Sequence, residues 1–393
     1  MAAGFSAGVA SAGVRDLGSD RPDIALLVSD RAATAAGVFT RNRVKAAPVV
    51  VSQLHLRRGA ARAVVVNSGN ANAGTGARGL GDALRMAQAA GDSLDCAPHE
   101  VLVASTGVIG RPMPMDRIIP AIGRAAATLA PGRGAEAARA IMTTDTRPKE
   151  AGAEFLAFGT AHHLGGMAKG SGMIHPDMAT LLAFLTTDAA VEAPVLQGLL
   201  AAVVGRTFNR ISVDGDTSTN DCCLMLANGA AGSPPLAPGT PGWEDFERAL
   251  EAVLGSLSEQ VVADGEGATR VFEVRVSGAA SLEEAVAAAR CVSSSPLVKT
   301  AVHGGDPNWG RVLAALGRSG AELALDRCRL AMQGEELFAR GQVTAGAVER
   351  VAPRLQAERV LIEVNLGVGE AGASALGCDL SADYVRINAD YST

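Results

Sequence analysis

The run Lys169-Gly-Ser-Gly-Met-Ile-His-Pro-Asp-Met-Ala-Thr180-Leu-Leu-Ala-Phe-Leu-Thr-Thr-Asp188 contains the change of character around which the chain is organised. Its first half is punctuated by glycine and carries a lysine. Its second half, from Thr180, is an apolar, strand-forming segment. By residue type alone Thr180 opens a strand, where Thr is a favoured residue. A hydroxyl at a loop-to-strand junction can also be a nucleophile. It becomes a far better one if the Ala179–Thr180 bond is cut. The α-amino group so released, with an ordinary pKa of ~7.7–8.0, accepts the hydroxyl proton at neutral pH without a histidine.

On the N-terminal side, Ile24-Ala-Leu-Leu-Val28, Pro48-Val-Val-Val51 and Ala63-Val-Val-Val66 are short β-branched runs that predict buried strands. Helical periodicity follows at 77–92 and 114–129, where Met115, Ile118, Ile119, Ile122 and Ala126 share a face. Between them, Val101–Gly107 reads as a strand ending in a turn. A helix closes near Thr143-Thr-Asp-Thr146. On the C-terminal side, the strand from Thr180 is followed by a helix at 194–204 and an apolar run at 222–227. Trp243, Phe246, Leu250, Val253, Leu254, Leu257 and Val261 then mark a long amphipathic helix, and strands are expected at 271–277 and 359–365. The alternation predicts a mixed α/β fold with helices covering sheets. At 393 residues, two lobes or one large layered domain are expected.

Composition narrows the function. Aromatics are only 3% of residues while 48% are hydrophobic, so the core must be built from Ala, Val and Leu at close approach. A net charge of −6 leaves no basic footprint for nucleic acid. No apolar run approaches a membrane span. Met1-Ala-Ala-Gly-Phe-Ser-Ala-Gly8 lacks the basic start and Leu-rich centre of a secretory signal. The six Cys show no CxxC spacing, so the expectation is a cytoplasmic protein with reduced thiols. No HxH or HxxxH pair occurs. Asp214-Gly-Asp-Thr-Ser-Thr-Asn-Asp221 lacks the alternating ligands and distal Glu of a calcium loop, so no metal is expected.

Four further segments carry chemistry. At Ser105-Thr106-Gly107, a Thr hydroxyl and a Gly backbone N–H can together donate to a developing oxyanion; an ordinary strand-end turn is the plainer reading. Asn67-Ser-Gly-Asn-Ala-Asn-Ala-Gly-Thr-Gly76 looks like a phosphate loop but has neither the Lys nor the spacing of one, which leaves a structural loop or one wall of a site. In Asp264-Gly-Glu-Gly267, Glu266 sits between glycines where it can meet an ammonium group or merely follow a helix cap. Within Pro296–Arg311, His303, Asp306 and Asn308 line either a cleft or a structural loop anchored by Trp309.

Taken in order, NSGNANAGTG, ASTGVIG, MTTDT, KGSGMIHPDMATLLAFLTTDA, DGDTSTND, DGEGAT, SPLVKTAVHGGDPNWGR and YVRINADYST resemble the ornithine acetyltransferase family across nearly the whole chain. The resemblance implies that family's layered α/β sandwich. It also implies self-cleavage into an α chain, 1–179, and a β chain, 180–393, in an (αβ)₂ assembly. Thr180 would carry an acetyl group from N²-acetyl-L-ornithine to L-glutamate, releasing ornithine, with Thr106 and Gly107 stabilising the oxyanions. Thr143 (or its neighbour Thr144), Lys169, Thr180, Glu266, Asn388 and Thr393 match the family's substrate-binding positions, while His175 and Asp177 fall where variation is expected. No cofactor is implied, and acetyl-CoA as a second acetyl donor stays open. So do an N-terminal-nucleophile aminopeptidase or amidase on a related scaffold, an uncut ligand-binding protein, and an acetyltransferase of secondary metabolism.

Overall fold

The computed structural model describes residues 1–15, 18, 20–175 and 181–390. Asp177, Ala179, Thr180 and Thr393 therefore lie outside the described residues.

Two mixed sheets and their helices make up the molecule. The first runs in the order Val101–Val108, Ala60–Asn70, Ile24–Phe39, Cys222–Ala227, Leu182–Thr187, Thr160–Lys169, Lys149–Ala157, with Phe5–Ala10 added on Ile24–Phe39. Its central strands read as unbroken apolar runs because both faces are covered. Ala183 and Leu185 pack under the helices Ala193–Arg206 and Trp243–Ala263. Their alternates Leu182 and Phe184 pack on the opposite face with Leu27, Val64 and the helix Gly134–Ala140. Further along that sheet, Ile24, Leu26, Val65 and Val103 meet the helices Gly76–Leu94 and Met115–Ala127.

The second sheet runs Gln342–Val343, Glu335–Ala339, Arg329–Met332, Arg359–Asn365, Val271–Ala279, Ala371–Cys378, Ile211–Ser212. Phe272, Val274 and Val276 pack against Ala285, Ala288, Ala289 and Val292 of the helix Leu282–Ser293. The layered α/β architecture expected from the alternation is the one observed. No helix among the described residues is long and apolar enough to cross a membrane.

Three local expectations are corrected. Pro48–Val51 belongs to a helix, Ala47–His55, with proline in its first turn, where the missing N–H costs nothing. Pro48, Val51, Ser52 and His55 are among its buried residues, a helical spacing hidden by the β-branched run. Ser52 Oγ and His55 Nδ1 bond the carbonyls of Val103 and Val101, both at 2.7 Å. Pro296–Arg311 is likewise mostly helical, in Pro296–Gly304 and the start of Trp309–Gly317. Finally, Thr106 and Gly107 do not form a turn; they lie inside the strand Val101–Val108.

Candidate active site

A cavity of about 270 Å³ is lined by residues from widely separated parts of the chain. Thr106 and Gly107 come from the edge strand of the first sheet. Thr143 and Thr144 precede the strand Lys149–Ala157, and Lys169 ends the strand Thr160–Lys169. The segment Asp214–Asp221 leads into Cys222–Ala227, while Glu266 follows the long helix and Asn388 sits on the last helix, Ala382–Asp390. Leu181 also lines it.

Gly107 has φ +128° and opposes Gly69 where the parallel pairing of the edge strand Val101–Val108 with Ala60–Asn70 slips. A Cβ there would stand 2.2 Å from the Gly69 carbonyl carbon, so the irregular pairing requires glycine. Thr106 Oγ1 accepts from Lys169 Nζ at 3.5 Å, which leaves its own hydrogen available for a ligand oxygen.

Lys169 is 8% exposed and faces Asp145 at 3.7 Å. Asp145 also accepts from Lys149 Nζ at 2.6 Å, Gly170 N at 2.7 Å and Thr143 N at 2.9 Å. Burial pushes the Asp145 carboxyl up, but the charges of Lys169 and Lys149 and these bonds outweigh it and hold it well below the ordinary carboxylate range. Lys149, fully buried, bridges Asp145 to Asp264 at 2.5 Å. Asp264 in turn binds the backbone N–H and hydroxyl of Thr146. The strip Thr143–Lys149 is thus tied to the loop that carries Glu266.

Glu266 is seated on glycine. Its N–H donates to Ser171 O at 3.0 Å, and a Cβ on Gly172 would fall 2.5 Å from its carboxylate. Asn388 Nδ2 donates to Glu266 Oε2 at 2.9 Å, leaving Oε1 without a hydrogen bond among the described residues. Thr144 Oγ1 and Ser171 Oγ share a hydrogen bond of 2.7 Å, and Thr143 and Thr144 both reach the cavity wall. Asp214 binds the N–H groups of Met173 and Ile174 at 2.5 and 2.9 Å, fixing the segment after Lys169. Burial nevertheless raises the Asp214 carboxyl, those N–H bonds pulling the other way.

The cavity therefore gathers Thr106, Gly107, Thr143, Lys169, Glu266 and Asn388. It does not gather the other polar candidates. His303 pairs with Asp379 at 2.7 Å away from the cavity, Asn308 caps the helix Trp309–Gly317 through Arg311 N, and Asp306 bonds Asn308. The stretch 67–76, whose first four residues lie in the strand Ala60–Asn70 and not in a loop, contributes only Ala71 to the lining, although Asn67 and Asn70 brace it by hydrogen bonds. Asp145, Lys149 and the stretch Asp214–Asp221 were missed as site residues. The last carried a signal: polar residues packed densely against the wholly apolar Cys222–Ala227 suggest a wall at a strand's mouth.

The sequence model of the ArgJ family matches residues 6–393. The arginine biosynthesis bifunctional protein ArgJ of Symbiobacterium thermophilum is 51% identical over 391 residues, covering 100% of this chain and 97% of that protein. Its counterpart from Thermus thermophilus is 49% identical, covering 99% and 98%. The crystal structure of the arginine biosynthesis bifunctional protein argJ from Bacillus halodurans is 44% identical with a TM-score of 0.52, covering 53% of this chain and 98% of the solved one.

Proposed function

The chain belongs to the ArgJ family of bifunctional arginine-biosynthesis proteins, and on that footing we propose that it moves an acetyl group from N²-acetyl-L-ornithine to L-glutamate through an ester on Thr180, after cutting itself between Ala179 and Thr180. The observation that carries this reading is the cavity. It joins two oxyanion donors, the Lys169 ammonium and the Glu266 carboxylate in a volume suited to a small amino acid, and its wall includes Leu181, the residue bonded to Thr180.

The roles follow from charge. Lys169 meets a substrate carboxylate, and Glu266, held by Asn388 at Oε2, meets a substrate ammonium through Oε1. Thr180 Oγ adds to the acetyl carbonyl, its proton passing to the α-amino group. The oxyanion is held by the Thr106 hydroxyl and Gly107 N–H. The amide C–N bond then breaks as the ornithine nitrogen takes that proton, and glutamate's amine reverses the sequence. Thr143 and Thr393 complete the substrate contacts. The α chain, 1–179, supplies the oxyanion donors and Lys169, and the β chain, 180–393, supplies the nucleophile and Glu266, in an (αβ)₂ assembly acting in the cytoplasm. The matched chain of the solved relative is covered to 98% by 53% of this one, close to the share that 180–393 takes of the chain, which supports the division.

Thr180→Ala is expected to stay whole and inactive, because both cleavage and transfer need the hydroxyl. Intact mass and glutamate acetylation from acetyl-ornithine, with acetyl-CoA assayed beside it, check this. Transfer by that variant, or hydrolysis without dependence on glutamate in the wild type, would refute the assignment.

A further inference from the structure

Asp221 is 2% exposed and lines the cavity, and its Oδ2 has no hydrogen-bond partner among the described residues. Its backbone is pinned on both sides. Thr40 donates to the Asp221 carbonyl at 3.0 Å, and the next N–H, of Cys222, donates to Leu181 O at 3.0 Å. The strands Leu182–Thr187 and Cys222–Ala227 are parallel with Leu182 beside Cys222, so Asp221 lies level with Leu181. The ionisable groups acting with it are Lys169, already engaged by Asp145 and Thr106, and the Cys222 thiol. The remaining acids of the cavity are Asp214, Asp216 and Glu266. None of these donates to Oδ2.

A buried carboxyl with a bare oxygen is unfavourable unless a donor arrives. Burial holds the group well above its ordinary value, against Ser218 and Lys169. In the continuous chain residue 180 offers an amide nitrogen, which carries no charge. A cut turns that nitrogen into a primary amine, one residue from the strand neighbour of Asp221.

We propose that Asp221 is the counter-charge for the α-ammonium group that a cut after Ala179 creates on Thr180, and that it aims this group at the Thr180 hydroxyl. The proposal rests on the acetyl-transfer reading above and deepens it. Asp221 touches no substrate atom; it is a positioning residue that acts through the amine. It steadies the positive charge the amine acquires on taking the hydroxyl proton, and it raises the amine's pKa by pairing with it.

The test compares wild type with Asp221→Asn. Intact mass first reports whether each chain is cut. Turnover is then recorded against pH at saturating acetyl-ornithine and glutamate. Both chains are expected to be cut. In the variant the acid limb should move down by about one pH unit or more, the plateau should fall at least about tenfold, and KM should hold. Asp221→Glu, which keeps the charge, should recover part of the turnover. Thermal stability gives a second readout: the asparagine should stabilise the uncut Thr180→Ala chain above about pH 4 and destabilise the cut wild-type background. The same sign in both backgrounds overturns the proposal. So does a raised KM with an unmoved acid limb, which gives the carboxylate to substrate. A folded but uncut Asp221→Asn also overturns it, by placing Asp221 in the cleavage step. A wild-type chain that stays whole sinks the transfer reading itself, and mass alone reports it.

Discussion

Lys169 keeps its place through Asp145, and Asp145 is where one atom's change should be felt most. Asp145→Asn leaves the buried Lys149 with a single carboxylate and Lys169 with none at 3.7 Å. Breaking such a network costs about 3–5 kcal/mol, measurable by urea unfolding. Because the folded carboxyl lies below its ordinary 3.8, its stabilisation is present above that pH and is lost as pH falls through the folded value. The gap between wild type and variant should therefore be full at neutral pH and close only in strong acid. Thr106→Ala removes one oxyanion donor and should lower turnover roughly 10²–10³-fold with little change in KM; unchanged turnover would take Thr106 out of the site. Thr106, Lys169 and Glu266 were legible in the sequence because each stands in a motif whose neighbours announce it. Asp145, Lys149 and Asp221 were not, because what makes them important is partners as distant in sequence as Asp264 is from Lys149.

At the scale of elements, two glycines separate fold from site. A methyl on Gly107 meets the backbone of Gly69 and a left-handed φ, so Gly107→Ala should distort the edge pairing and lower stability by about 1–3 kcal/mol. The three atoms nearest a methyl on Gly172 all belong to the end of the Glu266 side chain. Gly172→Ala should keep the wild-type melting temperature yet raise KM about tenfold or more by displacing a charged hydrogen-bonding group; unchanged KM would free Glu266 from its role in binding. Long periodic elements such as Trp243–Ala263 and the covered strands were readable from sequence, since burial on one or both faces writes itself into the pattern. Ala47–His55 and Pro296–Gly304 were not. Each is a nine-residue helix with proline in its first turn, too short for its period to outweigh β-branched or polar residues. The strand through Thr106-Gly107 was misjudged for a related reason: its glycine serves an irregular pairing and not an end.

For the whole molecule, the order of the first sheet decides what a cut after Ala179 can do. Cys222–Ala227 and Leu182–Thr187, from beyond the cut, lie between Ile24–Phe39 and Thr160–Lys169, from before it. The two pieces should co-elute at native pH and part only in denaturant; separate elution of native pieces would contradict the sheet order. The second sheet lies wholly beyond the cut, but with strands interleaved in this way neither piece holds the whole first sheet, so neither is a module that can be exchanged or supplied alone. A cut after Ala179 would then free a reactive chain end without freeing a fragment. On the proposed reading it would be a latch that each molecule trips once, silent in size and shape, so the number of working enzymes would be counted by broken bonds and not by folded chains.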